Sequence, residues 1–411
     1  MISFKKHTLK NGLRVIIHED RSTPLVAVNI LYNVGARDED PSRTGFAHLF
    51  EHLMFGGSEH IPTFDGPLQL AGAENNAFTS NDITNYYETI PAENIETALW
   101  LESDRMNKLN FEAALDVQRK VVCEEFKEHY LNQPYGDVWH KLRALAYTTH
   151  PYQWPTIGKE LKHIEEATYE DVERFFYKFY RPNNAILVLA GNINAEHGIA
   201  LTEKWFSEIP SGEPIDKKKI VQEPQQVESH FLEVKADVPV TAIFKAYHMP
   251  ARYDEHYFAA DLLSDVLSAG RSSRLFHPLV KEKKIFSEIS AYVTGSIDPG
   301  LLVIEGKLAD GITPQSAEVA LQEELDKVIH YRISDEELQK VKNRIESQME
   351  FGETELLNRA MGLAYAELLG DADIVNKEKE QYMAVSAEQI QEQAQIILRP
   401  SNCSTLHYLA D

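Results

Sequence analysis

Apolar and polar residues alternate in a pattern that predicts hairpins followed by runs of helices. The clearest case is residues 7–18, which flank Asn11-Gly12, the strongest short signal for a hairpin turn. The other predicted strands are 25–34, 83–90, 229–248, 286–296 and 301–308, and the predicted helices are 92–107, 111–130, 138–147 and several between 313 and 398. This order favours an α+β fold over a parallel doubly wound sheet.

Two segments that lie 218 positions apart have the same pattern. Residues 179–191 (FYRPNNAILVLAG) and 397–410 (ILRPSNCSTLHYLA) align at their Arg-Pro pairs. The same offset places Thr168 on Ser386, and each is a candidate N-cap for the helix before its Arg-Pro pair. The pattern therefore indicates an internal duplication.

The segment that joins the two halves is rich in proline and charge and has no periodicity. It reads IPSGEPIDKKKIVQEPQQV over residues 209–227. A chain of 411 residues exceeds the usual size of a single core. We therefore predict domains at 1–210 and 228–411, joined by a linker at 211–227.

Composition excludes several classes of protein. The formal net charge of −23 repels nucleic acid and anionic lipid, so neither is an expected partner. No apolar stretch approaches the roughly 18 residues that a membrane span needs. Two cysteines are too few for a disulfide framework or a cysteine zinc site. The first residues lack a secretory apolar region, which predicts a cytoplasmic protein, or a periplasmic one if a leader precedes them.

Residues 42–57, SRTGFAHLFEHLMFGG, predict a short buried helix. Ser42 or Thr44 is the expected N-cap, and Gly56-Gly57 follows the expected end. Its apolar residues are Phe46, Leu49, Phe50, Leu53 and Phe55.

The same helix carries a candidate metal motif of the form H-x-x-E-H. His48 and His52 are four residues apart, so their imidazoles lie on one face, where both can bind a tetrahedral Zn²⁺. Glu51 borders that face, and its carboxylate is a candidate general base toward a water held by the metal. The alternative is a pair of histidines on an ordinary amphipathic helix. The sequence therefore predicts two ligands and a base, and requires a third ligand from elsewhere.

The acidic end of the helix at 111–130 supplies candidates for that third ligand. At 100° per residue, Glu125 lies about 50° from the centre of the apolar stripe, whereas Glu124 points to nearly the opposite side. Glu128 is more than about 100° away. His129 also faces inward by this arithmetic, so Glu125 is the preferred ligand and His129 is the rival. The stripe is formed by Phe111, Leu115, Val122 and Phe126.

These motifs resemble the pitrilysin-like (M16) zinc metallopeptidases, specifically short bacterial M16B members similar to mitochondrial processing peptidase subunits. The resemblance implies two homologous α/β-roll domains, each a mostly antiparallel sheet flanked by helices, known as the LuxS/MPP-like metallohydrolase fold. The matching segments are VGARDEDPSRTGFAHLFEHLMFGGS (34–58), AENNAFTSNDITNYY (73–87), LDVQRKVVCEEFKE (115–128), NQPYG (132–136), HPY (150–152), YRPNN (180–184) and GRSSRLF (270–276).

The resemblance assigns roles to individual residues. His48, His52 and Glu125 match the ligands of one Zn²⁺ per chain, and Glu51 matches the catalytic glutamate. The implied activity is that of a zinc endopeptidase, which cuts peptides or unfolded segments inside an enclosed clamshell chamber. The zinc chemistry would belong to the domain at 1–210, since the domain at 228–411 has no such motif.

The resemblance also implies residues around the metal. Asn76 and Ala77 match an edge strand that pairs with the substrate backbone, so peptides would bind by β-addition. Gln118 stands where many members have a second glutamate, seven residues before Glu125. Gln118 and His129 are therefore expected behind the ligands, where they would tune them.

The C-terminal half departs from the family pattern. Active single-chain members hold the substrate carbonyl with an Arg and a Tyr seven residues apart, and the matching positions here are Val280 and Ser287. Neither side chain supplies a cation or a phenol. Arg274 and Tyr292 are nearby, and a shifted alignment would make them the pair.

This departure predicts a partner. We expect a heterodimer in which a homologous M16 subunit supplies the Arg/Tyr pair, with a homodimer as the alternative. Two other functions remain open. A scaffold subunit would purify without stoichiometric metal, and a metalloenzyme such as an amidase would not cut peptides.

Overall fold

The structure is a computed structural model that describes residues 1–217 and 220–411, and all of their side chains except that of residue 113. Lys218 and Lys219, in the predicted linker, lie outside the described residues. The chain forms two compact units. Unit 1 contains residues 1–128, 154–220 and 350–377, and unit 2 contains residues 129–153, 221–349 and 378–411.

The strands and helices follow the predicted order, and the described helices include none that is long and apolar enough to cross a bilayer. The strands are β1 (Lys5–Thr8), β2 (Arg14–Glu19), β3 (Leu25–Tyr32), β4 (Glu74–Thr79), β5 (Thr84–Pro91), β6 (Ala185–Gly191), β7 (His230–Ala236), β8 (Ala242–His248), β9 (Phe286–Val293), β10 (Leu301–Leu308) and β11 (Cys403–Ala410). The helices are α1 (Phe46–Leu53), α2 (Asp65–Leu70), α3 (Ile95–Asn107), α4 (Phe111–Phe126), α5 (Val138–Ala146), α6 (Leu161–Glu165), α7 (Tyr169–Phe179), α8 (Ala195–Phe206), α9 (Tyr257–Ser268), α10 (Pro314–His330), α11 (Asp335–Gly352), α12 (Leu356–Leu368), α13 (Ile374–Ala384) and α14 (Ala387–Ile397).

Among the residues that the structure describes, each unit contains one sheet. Unit 1 has six strands in the order β1-β2-β6-β3-β5-β4, and unit 2 has five in the order β7-β11-β8-β10-β9. Within each sheet one pair is parallel, β2 with β6 and β7 with β11, and the other pairs are antiparallel. Two mostly antiparallel sheets flanked by helices confirm the predicted α+β fold class.

The duplication is visible in the structure at the predicted offset. Helices α7 and α14 begin and end at positions 218 residues apart, and each precedes an Arg-Pro turn and a buried strand. Both N-caps are capping boxes, in which Thr168 pairs with Asp171 and Ser386 pairs with Gln389. These local signals were predictable because a capping box and its helix lie within a few consecutive residues.

The units differ from the contiguous domains predicted at 1–210 and 228–411, because each unit includes a helix from the other half of the sequence. In unit 1, α12 buries Ala360 and Leu363 against apolar residues of the sheet. In unit 2, α5 buries Val138 and Leu142 against apolar residues of the five-stranded sheet. An apolar helical face can be read from sequence, but the sheet that it covers cannot.

Glu223 binds the segment 129–153, which comes from the N-terminal half of the sequence and is called the transferred segment below. Its carboxylate accepts hydrogen bonds from the backbone N–H groups of Thr148, Thr149 and His150 at 2.7, 2.9 and 2.8 Å. Burial raises the pKa of Glu223, but these hydrogen bonds outweigh burial and lower the pKa from 4.5 to about 2. The charged carboxylate therefore stabilises the fold above pH 4.5, and this contribution is lost as the pH falls toward 2.

We expect Glu223→Gln to lower the free energy of unfolding by about 1–3 kcal/mol at pH 7, because the charged acceptor is lost. The difference from wild type should shrink between pH 4.5 and pH 2. Urea unfolding of both proteins over this pH range measures it. Equal stability at pH 7 would contradict the role given to this carboxylate.

Candidate metal centre

The helix α1 carries the H-x-x-E-H motif and begins at a different cap from the one predicted. Its N-cap is Gly45, in the left-handed conformation, and the N–H groups of Gly45 and Ala47 donate to the Glu39 carboxylate at 2.9 and 2.8 Å. The prediction of Ser42 or Thr44 is wrong because both hydroxyls have other partners. Ser42 donates to Asp40 at 2.6 Å, and Thr44 bonds His163 at 2.8 Å.

Glu39 is fully buried at this helix end. Burial raises the pKa of Glu39 to about 8, while the N–H groups of Ala47, Gly45 and Trp154 act in the opposite direction. The indole N–H of Trp154 donates to the carboxylate at 3.1 Å. Two hydrogen bonds to Glu39, a side chain from outside the helix, thus fix the start of α1, and the bond from Trp154 holds that side chain in place.

A buried cation lies at the other end of α1. The guanidinium of Arg105 is 3.5 Å from the carbonyl oxygen of Met54, the C-cap residue, and its ion pairs are with Glu102 and Glu88. It also lies over the ring of Phe64, 3.9 Å from the centroid. The positive charge of this guanidinium at the C-terminus complements the helix dipole, and the Glu39 carboxyl accepts hydrogen bonds at the N-terminus. Buried groups therefore fix both ends of the helix that positions the motif.

His48 and His52 project from α1 toward Glu125 on α4. The distance from His48 Nε2 to Glu125 Oε1 is 3.7 Å, and from His52 Nε2 to Glu125 Oε2 it is 3.3 Å. The three ligand atoms all lie within 4.8 Å of one another. Bonds of ~2.0–2.1 Å place two donors of a tetrahedral zinc ion about 3.3–3.4 Å apart. The His52–Glu125 separation of 3.3 Å equals such an edge, and the His48–Glu125 separation of 3.7 Å is slightly longer.

The chemistry of this donor set also fits a divalent cation. Burial lowers the pKa of His48 to about 4, so the imidazole is neutral at pH 7, which is the form that binds metals. Its Nδ1 is buried and has no hydrogen-bond partner among the described residues. Two imidazoles and a half-buried carboxylate thus converge on one point, and a cation there would balance the carboxylate charge.

Glu51 lies beside these three residues and is held by a residue that the sequence analysis did not single out. The hydroxyl of Thr79 on β4 donates to Glu51 Oε2 at 2.6 Å. Burial raises the pKa of Glu51, and the hydrogen bond from Thr79 opposes this rise. A sequence signal for Thr79 exists, because it follows Ala77 by two residues and therefore shares its face of the strand.

Strand β4 forms an edge of its sheet. It pairs with β5 and is the last strand in the order. Asn76 is exposed, and Ala77 is buried. The N–H of Ala77 donates to the side-chain oxygen of Asn76 at 2.8 Å. Both residues therefore lie on a sheet edge, as expected for β-addition.

Gln118 and His129 have different surroundings. Gln118 is half-buried on α4, two turns before Glu125 and so on the same face of the helix. His129 is exposed in a π-helical turn, Lys127–Leu131, so its predicted inward orientation is wrong. The wider turn breaks the 100° periodicity from which that orientation was extrapolated.

The two positions in unit 2 that match the Arg and the Tyr of active single-chain members carry no cation or phenol. Val280 is half-buried, and Ser287 is exposed on β9. The alternatives, Arg274 and Tyr292, already have partners within their own unit. The Arg274 guanidinium donates two hydrogen bonds to Glu337, at 2.8 and 2.5 Å. The Tyr292 phenol donates one to Glu305, at 3.2 Å.

Comparisons with known proteins agree on one family. A model described as "Insulinase (Peptidase family M16)" matches residues 14–160, and one described as "Peptidase M16 inactive domain" matches residues 166–345. The zinc protease PqqE of Helicobacter pylori is 32% identical over 348 residues, which are 82% of this chain and 77% of that protein. The uncharacterized zinc protease YmxG of Bacillus subtilis is 27% identical over 353 residues, 84% of this chain and 83% of that protein.

A solved structure is similar over the whole chain. The crystal structure of a protease from Helicobacter pylori has a TM-score of 0.92 and 27% sequence identity, and the match covers 99% of this chain and 100% of that one.

Proposed function

Because the chain belongs to peptidase family M16, we propose that it is a zinc-dependent endopeptidase that hydrolyses peptides or unfolded segments. His48, His52 and Glu125 are the proposed ligands of one Zn²⁺, and Glu51 is the proposed general base. The observation that carries the proposal is the convergence of both Nε2 atoms on the Glu125 carboxylate at 3.7 and 3.3 Å.

The chain's own residues account for the proton transfers. When bound, zinc would supply a Lewis acid that lowers the pKa of water and polarises the substrate carbonyl. Glu51 accepts the proton of the attacking water and then donates it to the leaving amine. Its pKa, raised by burial, brings this carboxylate closer to neutral pH, where a base can both accept and return a proton.

Peptide binding is proposed at the free edge of β4. A peptide strand would add to this edge through main-chain hydrogen bonds, which give affinity with little demand on sequence. The bond from the Ala77 N–H to the Asn76 side chain would have to give way to a substrate carbonyl. Asn76 is exposed, so its side chain has room to turn aside.

Thr79 is proposed to orient the base. We expect Thr79→Val, which keeps the shape but removes the hydroxyl, to lower kcat about 10–100-fold with little change in KM, since loss of an orienting partner has effects of this size. Thr79→Ser keeps the donor and should restore most of the rate.

Zinc content and steady-state kinetics of the three proteins check this expectation. In a Glu51→Gln background, Thr79→Val should cause no further loss, because the group that it orients is already gone. Equal rates for the valine and serine variants would show that the hydroxyl has no such role.

The proposed function is tested by hydrolysis of casein and of quenched fluorescent peptides by the purified, zinc-loaded chain. Cleavage that stops with a chelator and returns with zinc is the expected result. Stoichiometric zinc with turnover of small amides but not of peptides would favour the amidase alternative. The absence of zinc would instead favour a non-catalytic subunit.

A partner subunit is a further part of the proposal. Val280 and Ser287 stand where single-chain members have an Arg and a Tyr, so we propose that a homologous subunit supplies this pair in a heterodimer. A homodimer is the alternative. The chain alone should then show weak peptidase activity that rises when the partner is added. Full activity of the isolated chain, with its mass measured by sedimentation, would contradict the heterodimer.

A further inference from the structure

Unit 2 contains a cavity of about 400 Å³ that the proposed zinc chemistry does not use. One wall consists of Tyr135, Val138 and Trp139, from the start of α5 and the residues before it. The floor is the sheet face formed by β8, β10 and β9. All lining residues belong to unit 2, so the cavity is a feature of this unit by itself.

The floor carries a carboxylate at the border between apolar and polar residues. By strand register, Glu305 on β10 lies between Phe244 on β8 and Ser290 on β9. The next row toward the start of β10 is apolar, with Val303 beside Ala246. A cation that binds beside this half-buried carboxylate would offset its charge.

Lys307 lines the cavity, and its charge acts on Glu305 as well as on its ion-pair partner Glu288. Lys307 forms an ion pair with Glu288 at 2.7 Å and lies 5.5 Å from the centre of the Tyr135 ring. Glu305 accepts hydrogen bonds at 3.2 Å from two hydroxyls, those of Ser290 and Tyr292. Hydroxyl donors satisfy part of its hydrogen-bonding capacity and leave its negative charge in place.

The aromatic wall suits a cation as well. The guanidinium of Arg143 lies 5.0 Å from the centre of the Trp139 ring, although Arg143 does not line the cavity. This contact shows that the indole has a guanidinium as a neighbour, as the negative face of an aromatic ring favours, and it also places a positive charge of the chain's own beside this wall.

Tyr135 is held in a strained conformation at this wall. Its φ of 62° lies in the left-handed region, which bulky residues rarely adopt. Its hydroxyl bonds both backbone groups of Val240, which keeps the ring in place. Strain that is maintained by such contacts is often associated with a functional role.

We propose that this cavity binds the cationic side chain of an arginine or lysine in a peptide. The alkyl stem would lie along Val138 and Trp139, and the charged head would reach the Glu305 carboxylate. The site is separate from the zinc ligands, and its occupancy does not require that the chain hydrolyse peptides.

Calorimetry with the full-length chain tests the proposal without catalysis. The probes are N-acetyl-arginine amide and its neutral isostere N-acetyl-citrulline amide. We expect the arginine probe to bind at least about tenfold more tightly, because the isostere lacks the charge that pairs with Glu305. Equal binding of both probes, or no binding of either, would overturn the proposal.

Two variants locate the binding. Glu305→Gln should weaken the arginine probe by about tenfold, whereas Glu233→Gln, with the same charge change on the exposed opposite edge strand β7, should not. Urea unfolding of both variants shows whether each remains folded. An unchanged affinity in a folded Glu305→Gln protein would overturn the assignment to this cavity.

A blocked pentapeptide, Ala-Ala-Arg-Ala-Ala, distinguishes a peptide from a free cation, with Glu51→Gln used to prevent cleavage. Tighter binding of the peptide than of the arginine probe is expected, and its loss in the Glu305→Gln background would support the site. Binding of the free probe alone would overturn the choice of a peptide as the ligand.

Discussion

Replacement of Glu51 by glutamine is expected to lower kcat by about 10²–10⁴-fold, because the amide cannot accept and return the proton. Zinc content should stay at one per chain, since Glu51 is not among the proposed ligands. The amide oxygen can still accept the hydrogen bond from Thr79, so the fold around the site should be retained. Single-turnover hydrolysis of a quenched peptide, together with metal analysis, measures both effects.

The control for this change is Glu112→Gln, which removes an exposed carboxylate from α4 in the same unit. Its kcat and zinc content should match wild type. A Glu51→Gln protein that keeps more than a tenth of the wild-type rate would rule out Glu51 as the general base.

Replacement of Glu125 by alanine should lower zinc affinity by more than about 100-fold. The reason is that removal of one of three ligands has a larger effect than the 10–100-fold typical of groups that only support a ligand. Zinc that binds the folded state stabilises it, by about 2.7 kcal/mol at 100 times the dissociation constant. The variant should therefore lose most of the zinc-induced rise in unfolding temperature. Competition with a chromophoric chelator gives the affinity directly.

The matched control lies one residue earlier on the same helix. Glu124 is exposed and pairs with Lys127 at 2.8 Å, so Glu124→Ala should leave zinc affinity unchanged. If the two alanine variants bind zinc equally well, Glu125 is not a ligand.

Much of the fold was predictable because its signals are local. The Asn11-Gly12 turn joins β1 and β2, as expected from the alternating residues around it. The two capping boxes lie 218 residues apart because the duplicated segments kept the same short pattern. The spacing of His48 and His52 placed both imidazoles on one face of α1 for the same reason.

The failures concern features that the periodicity of the sequence does not report. The cap of α1 comes from Glu39, six residues before the N-cap Gly45, while Ser42 and Thr44 bond elsewhere. His129 was placed by continuing a regular helix through a stretch that widens into a π-helical turn. Neither event has a signal in the periodicity of the residues involved.

The same limit applies to the sheet partners of α5 and α12. Both helices have apolar faces in the sequence. However, α5 comes from the N-terminal half and packs on the sheet of unit 2, whereas α12 comes from the C-terminal half and packs on the sheet of unit 1. The cavity beside Glu305 depends on this exchange, since Tyr135 and Trp139 reach the sheet of unit 2 only with the transferred segment.

The central claim is that two imidazoles and one carboxylate bind a single zinc ion in each chain. Zinc K-edge X-ray absorption of the chain, loaded with one equivalent of metal, tests it most directly. The account predicts a four-coordinate site with two imidazoles and only nitrogen and oxygen donors at about 2.0–2.1 Å. A six-coordinate, all-oxygen spectrum, or a chain that does not retain stoichiometric zinc after dialysis, would contradict it.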